Sequence, residues 1–166
     1  MRFKGVFLSA AFLLTGCVTG SSGNGVSGNN YTPVPKTKGF GDTVEVGKLE
    51  FRANSASNTK KVGTEYLGDE TSNNFVIVNL TIKNKGNSEI TLTSGMMELH
   101  VGEKTYEPHS SGIYLDDGFY VLESIGPDIS TTKNVLFETP SEYTSDYYLV
   151  VKESAYSYTT EKIYLK

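Results

Sequence analysis

The sequence predicts an all-β protein, an antiparallel sandwich or barrel of about eight strands. Three observations carry this. From Asp42 onward, short apolar runs recur at regular intervals between turn residues. No segment after residue 16 repeats apolar side chains at helical spacing over helical length. Most runs also alternate with a polar parity, the pattern of a sheet with one face on a core and the other in water.

The elements follow in order. In "TVEVGKLEF" Val44 and Val46 share one parity and Leu49 and Phe51 the other. The phase slips at Gly47, which reads as a bulge or a strand crossing between sheets. Asn54 to Asn74 is long and polar, with Val62, Tyr66 and Leu67 inside it. It reads as a functional loop, or as cover for a short edge strand near "TEYLG". "NFVIVNLTIKN" is the clearest strand, with Val76, Val78, Leu80 and Ile82 facing one way, and "NKGN" turns the chain after it. "EITLTSGMMELHV", a stretch around Tyr106, and "GIYLDDGFYVLESI" with its break at Asp116-Asp117-Gly118 come next. "KNVLFET", with Val135 and Phe137 in phase, "YYLVVKE" and "KIYLK" complete the pattern. There is no internal repeat.

The first residues are of another kind. Arg2 and Lys4 precede the apolar run Val6–Leu14, and small residues follow. This is the order of a secretory signal peptide over residues 1–16. As a helix the run would reach roughly 15 Å, against about 30 Å of hydrocarbon, too short to span a bilayer. Leu14-Thr15-Gly16-Cys17 resembles the lipobox of bacterial lipoproteins. The resemblance implies cleavage before Cys17, a diacylglycerol joined to its thiol, and a new amino end open to acylation. The chain has one cysteine, so no internal disulfide can form, and a lipid on Cys17 would also remove an exposed free thiol. Val18 follows; in Gram-negative lipoproteins an aspartate there commonly signals retention in the inner membrane. The expected location is therefore a bacterial cell envelope, with the outer membrane open if the host has one. From residue 17 to 41 the chain is rich in Gly, Ser and Asn and reads as a tether, stiffened by Pro33 and Pro35, with a reach of roughly 25 Å. Tyr31 and Phe40 are its candidate docking residues. Residues 42–166 form the domain.

Without residues 1–16 the chain holds 13 basic and 19 acidic residues, a formal charge of −6. That excludes a basic surface for nucleic acid and leaves membrane attachment to the lipid anchor.

From Gly41 to about Val151 the domain resembles a widespread bacterial family of secreted, often lipid-anchored domains of unknown function. That family has an immunoglobulin-like β-sandwich fold related to the immunoprotective extracellular protein of mycobacteria. The likeness is carried by Gly41-Asp42-Thr43-Val44-Glu45-Val46, "FVIVNLTIKNKGNSEITL", Tyr106-Glu107-Pro108, Ile125-Gly126-Pro127 and "NVLFETP". Asp128 stands where the family usually has glycine, which leaves the turn type there open. The resemblance implies an antiparallel sandwich of about 7–9 strands, and it carries no catalytic residues.

Candidate chemistry is thin. His100 alternates with Leu99 and Val101 and is expected to face solvent; His109 follows Pro108 in a turn. Without a second cysteine or spaced carboxylates they do not make a zinc site. Asp69-Glu70 and Asp116-Asp117 read as solvated turns, with calcium binding as the alternative. No G-x-S-x-G, P-loop or dinucleotide fingerprint occurs. Tyr143, Tyr147, Tyr148, Tyr156, Tyr158 and Tyr164 crowd the last strands. Cross-strand pairing is their default explanation, with Tyr156 and Tyr158 on one face, and an exposed binding patch is the alternative. The expected function is a non-enzymatic, lipid-anchored interaction module with a protein partner in the envelope. The alternatives are a small-ligand or calcium-binding accessory of a surface enzyme or transporter, and self-association through strand edges.

Overall fold

The clearest alternation in the sequence is fully buried: Val76, Val78, Leu80 and Ile82 line one face of a 17-residue strand. In the computed structural model, which describes residues 37–119 and 122–166, this strand is the third of ten. The strands are β1 (Thr43–Val46), β2 (Leu49–Gly63), β3 (Gly68–Asn84), β4 (Ile90–Thr93), β5 (Met97–Val101), β6 (Lys104–Tyr106), β7 (Leu122–Ile125), β8 (Ser130–Thr139), β9 (Tyr148–Lys152) and β10 (Thr160–Tyr164). They form one four-stranded sheet in the order β1-β2-β3-β8, another in the order β10-β9-β5-β6, and the pair β4-β7. All strand pairings are antiparallel.

The core lies between the sheets. Phe51, Leu80 and Phe137 on the first share one buried cluster with Leu99, Leu149 and Ile163 on the second, and Leu92 and Ile125 of β4-β7 join it. Each such side chain contributes about 1.5–3 kcal/mol on leaving water.

Gly47 is neither a bulge nor a crossing. Val46 pairs with Leu49, so Gly47-Lys48 is the two-residue turn of a hairpin, and Gly47 has φ 57°. A positive φ at the first central position is what glycine supplies in such turns. The larger correction concerns residues 54–74. They are not a loop but the continuation of β2 and the start of β3, registered from Ser55↔Asn79 through Gly63↔Gly68. The register shifts between Ala53 and Ser55 and again between Thr59 and Lys61.

On its outer face the first sheet carries a row of amides. Asn54 Nδ2 donates to Asn79 Oδ1 at 2.8 Å, Asn79 Nδ2 to Asn134 Oδ1 at 2.7 Å, and Asn134 Nδ2 to the Asp116 carbonyl at 2.8 Å.

One end of the sandwich, the turn end, holds Gly47-Lys48, the β3–β4 turn and the β9–β10 loop. There the Lys85 N–H donates to the Lys48 carbonyl, and Gly47 faces the Glu153 side chain. Asn84 secures it. Fully buried, it donates through Nδ2 to the carbonyls of Ser88 (2.8 Å) and Ile125 (2.9 Å), and its Oδ1 accepts from the Gly86 N–H (2.8 Å). Nearby, Asp128 has φ 58° while the Ile129 N–H closes on the Gly126 carbonyl. The aspartate adopts the left-handed conformation that glycine favours.

Contacts with the domain begin before Asp42. The Lys38 carbonyl accepts from the Tyr164 N–H, Phe40 N–H donates to the Lys166 carbonyl, and Phe40 packs on the core. The expected signal peptide, Cys17, and the tether through residue 36 lie outside the described residues. Among the described residues no helix is long and apolar enough to cross a membrane.

Candidate binding surface at the hairpin arm

β1 pairs with β2 only as far as Arg52, and β8 pairs with β3 only from Asn74 upward in the sequence. The rungs from Lys61↔Glu70 to Gly63↔Gly68 therefore stand beyond both neighbouring strands, and the hairpin projects as an arm. Its tip is a tight loop. Thr64 N–H donates to the Leu67 carbonyl at 2.7 Å, and the Leu67 N–H returns to Thr64 Oγ1 at 3.1 Å. Both flanking glycines are required by space: a Cβ on Gly63 would lie 2.3 Å from the Leu67 carbonyl oxygen, and one on Gly68 2.3 Å from that of Val62. The loop holds Tyr66 and Leu67 out in solvent, 90% and 69% exposed.

The arm is braced at its base. Val62, Phe75 and Leu136 form a second buried cluster, with Ile77 and Leu115 against it. It lies on the face of the sheet opposite the core stripe, beside the 3-10 segment Ser110–Tyr114. Polar contacts lace the arm to this segment and to β8. Ser111 Oγ donates to Asp69 Oδ2, while Thr71 Oγ1 and Asn73 Nδ2 donate to Glu138 Oε1. The hydroxyl of Ser111 holds the Asp69 carboxyl below its ordinary value, and the Thr71 hydroxyl and then the Asn73 amide do the same for Glu138. His109 caps the segment: its Nδ1 accepts from the Ser111 N–H at 3.3 Å, and its Nε2 lies 3.6 Å from Glu138 Oε2. Ile113 and Tyr114 of the segment are exposed, and Tyr114 lies against Gly63. The arm thus presents Tyr66, Leu67, Ile113 and Tyr114 at one end of the domain, with Glu65, Asp69 and Glu70 at the tip.

Ser111 gives its proton to a carboxylate, not to His109, so the serine, the histidine and the acids do not form a nucleophile–base relay. Among the described residues no three His, Cys, Asp or Glu side chains stand close enough to share a metal ion. Asp116 and Asp117 make a turn whose carbonyls accept from Asn134.

The remaining expected residues separate clearly. His100 lies on the outer face of β5, half-buried, stacked on Tyr148 at 5.0 Å and within 3.3 Å of Glu98. Tyr148 meets Tyr164 across the β9–β10 pair, and Tyr143 meets Tyr147 edge-on. Cross-strand pairing explains Tyr148 and Tyr164, whereas Tyr143 and Tyr147 meet each other within the β8–β9 loop. Tyr156 and Tyr158 differ: they lie in the loop before β10, not on a strand face, and are 93% and 102% exposed. Sequence reading located Tyr66 and Leu67 in an odd segment but missed that they cap a hairpin. The signal was there in Gly63 and Gly68 bracketing four residues.

Comparison with solved structures finds the same fold at low identity. The yjhA protein of Bacillus subtilis superposes with a TM-score of 0.60 at 16% identity, covering 78% of this chain and 100% of that one. A secreted protein of Mycobacterium tuberculosis, MPT63, gives 0.55 at 10% identity, covering 81% and 99%. A conserved hypothetical protein of Bacillus anthracis gives 0.54 at 13%, covering 76% and 95%. No curated protein matches in sequence. The profile of a domain of unknown function, DUF4352, matches residues 38–163, from the first residue held on β10 nearly to its end. The chain belongs to the DUF4352 family, as a β-sandwich with a projecting two-stranded arm.

Proposed function

We propose that the protein is an exported, lipid-anchored, non-catalytic binding module of the bacterial envelope, and that its arm tip engages a protein partner. The single observation that carries this is the tip itself, where a braced hairpin holds Tyr66 and Leu67 out in solvent. Leaving a tyrosine and a leucine in water forgoes burial that folding would otherwise gain, and such residues anchor interfaces when they enter a partner's pocket. Glu65, Asp69 and Glu70 around them complement a cleft with an apolar floor and a basic rim. The lipobox resemblance at Leu14–Cys17 supports the anchor.

A photo-crosslinking amino acid at Leu67 tests the arm, with Asn87 in the opposite turn as the control. Intact cells are expected to yield a discrete crosslinked species from position 67 and none from 87. Equal labelling from both positions, or none from 66 and 67 alike, refutes the arm as the contact.

A further inference from the structure

The β9–β10 loop holds the two most exposed large side chains of apolar character among the described residues. Tyr156 and Tyr158 project from it at the turn end of the domain, where Glu153 meets Gly47 and Ala155 meets Gly95. The loop has a composition unlike the arm tip. Seven consecutive residues, Ser154 to Thr160, carry no charge. Part of its backbone is satisfied internally: Ser157 N–H donates to the Ser154 carbonyl at 3.0 Å, and Thr159 N–H to Ser157 Oγ at 3.1 Å. Uncharged, locally hydrogen-bonded backbone carrying tyrosines suits the headgroup region of a bilayer, where amphipathic rings settle. The arm tip, with Glu65, Asp69 and Glu70, does not.

Two geometric facts set the orientation. Lys38 to Phe40 run alongside Tyr164–Lys166 in the same sense, so the chain meets the domain travelling from the turn end toward the arm end. Lys38 also sits low on the sandwich, sharing a cleft with Thr43, Val44 and Glu161, and Thr43 pairs with Arg52. From Arg52 the turn end at Leu49 is roughly 10 Å away along the strand, and the arm tip at Gly63 is roughly 36 Å away. From Cys17 to Lys38 there are 21 residues, whose composition gives a reach of roughly 25 Å. A mean reach of that size brings the nearer turn end to a membrane more often than the farther arm tip, which the tether meets only when drawn out beyond its average length.

We infer that the turn end rests on a phospholipid bilayer, with Tyr156 and Tyr158 seated among the headgroups, and that the arm points away from the membrane. This rests on the reading that Cys17 carries lipid.

The sequence has no tryptophan, so a single introduced indole reports one position. Full-length protein purified with its native anchor is reconstituted into phosphatidylethanolamine–phosphatidylglycerol vesicles carrying a lipid with a spin label near the headgroup. Tyr158→Trp is expected to show a blue-shifted emission and a roughly two-fold loss of intensity from the label, as for an interfacial ring. Tyr66→Trp is expected to show neither. Quenching at position 66 alone, at both positions equally, or at neither while the protein floats with the vesicles overturns the orientation and leaves the anchor standing. Failure to float overturns the anchor, and the orientation with it.

Discussion

Asn84 makes the sharpest stability prediction. Its side chain ties the end of β3 to two other segments of the turn end: the β3–β4 turn through Ser88 and Gly86, and β7 through Ile125. Truncation in Asn84→Ala removes three hydrogen bonds from a site with no access to water. Each contributes about 1 kcal/mol net, and a buried polar group left short of a partner adds a desolvation penalty of about 1–3 kcal/mol. The backbone bond from the Asn84 N–H to the Ile129 carbonyl survives the change. A loss of about 4 kcal/mol follows, which for a domain of this size lowers the melting temperature by about 12 °C. Asn84→Asp keeps the acceptor for Gly86 but turns a carboxylate toward two carbonyls, so it is expected to be no milder. Thermal unfolding followed by circular dichroism measures both. A midpoint for Asn84→Ala within about 2 °C of the parent would refute the reasoning.

Two further predictions test local geometry and charge. At Asp128, already in left-handed backbone, Asp128→Gly is expected to hold or gain up to about 0.5 kcal/mol while Asp128→Val loses about 1–2 kcal/mol; equal losses in thermal melts would contradict the conformation described. Burial alone pushes the Glu98 carboxyl up, but hydrogen bonds from Lys152 and His100 and their charges outweigh it and hold it below its ordinary 4.5. Its contribution to stability is therefore complete above about pH 4.5 and is lost as pH falls through the lower folded value. Urea unfolding across that range is expected to give a flatter pH dependence for Glu98→Gln, by at most about 1 kcal/mol; an unchanged slope would count against the pairing.

What the sequence displayed was half-burial. Val76 to Ile82 alternate because one face meets the core and the other water, and Val44, Val46, Leu49 and Phe51 read the same way. The arm has no such asymmetry. From Asn58 to Lys61 and from Glu70 to Asn73 both faces are largely wet, so "NTKK" and "ETSN" carry no alternation, though they lie within the paired strands β2 and β3. Their pairing is enforced by the adjoining apolar halves of β2 and β3, which lie outside any local window. Leu136 was hidden for a related reason. It sits out of phase with Val135 and Phe137, and its cover comes from Val62 and Phe75 on other strands, beside a segment more than twenty residues earlier in the chain. The tyrosines divided by what covers them: Tyr148 and Tyr164 meet across strands, Tyr143 and Tyr147 meet in a loop packed on the core, and Tyr156 and Tyr158 stand in solvent.

The row of side-chain amides across the first sheet has a consequence for fidelity. Sliding β3 by one residue against its neighbours would expose Val76, Val78, Leu80 and Ile82, so the core forbids it. A slide of two residues keeps every apolar group indoors and is invisible to hydrophobicity. It would, however, break the relay Asn54–Asn79–Asn134 and set asparagines against threonine or hydrocarbon. The amides thus act as an alignment key, selecting one among the even-numbered offsets that greasiness alone would tolerate.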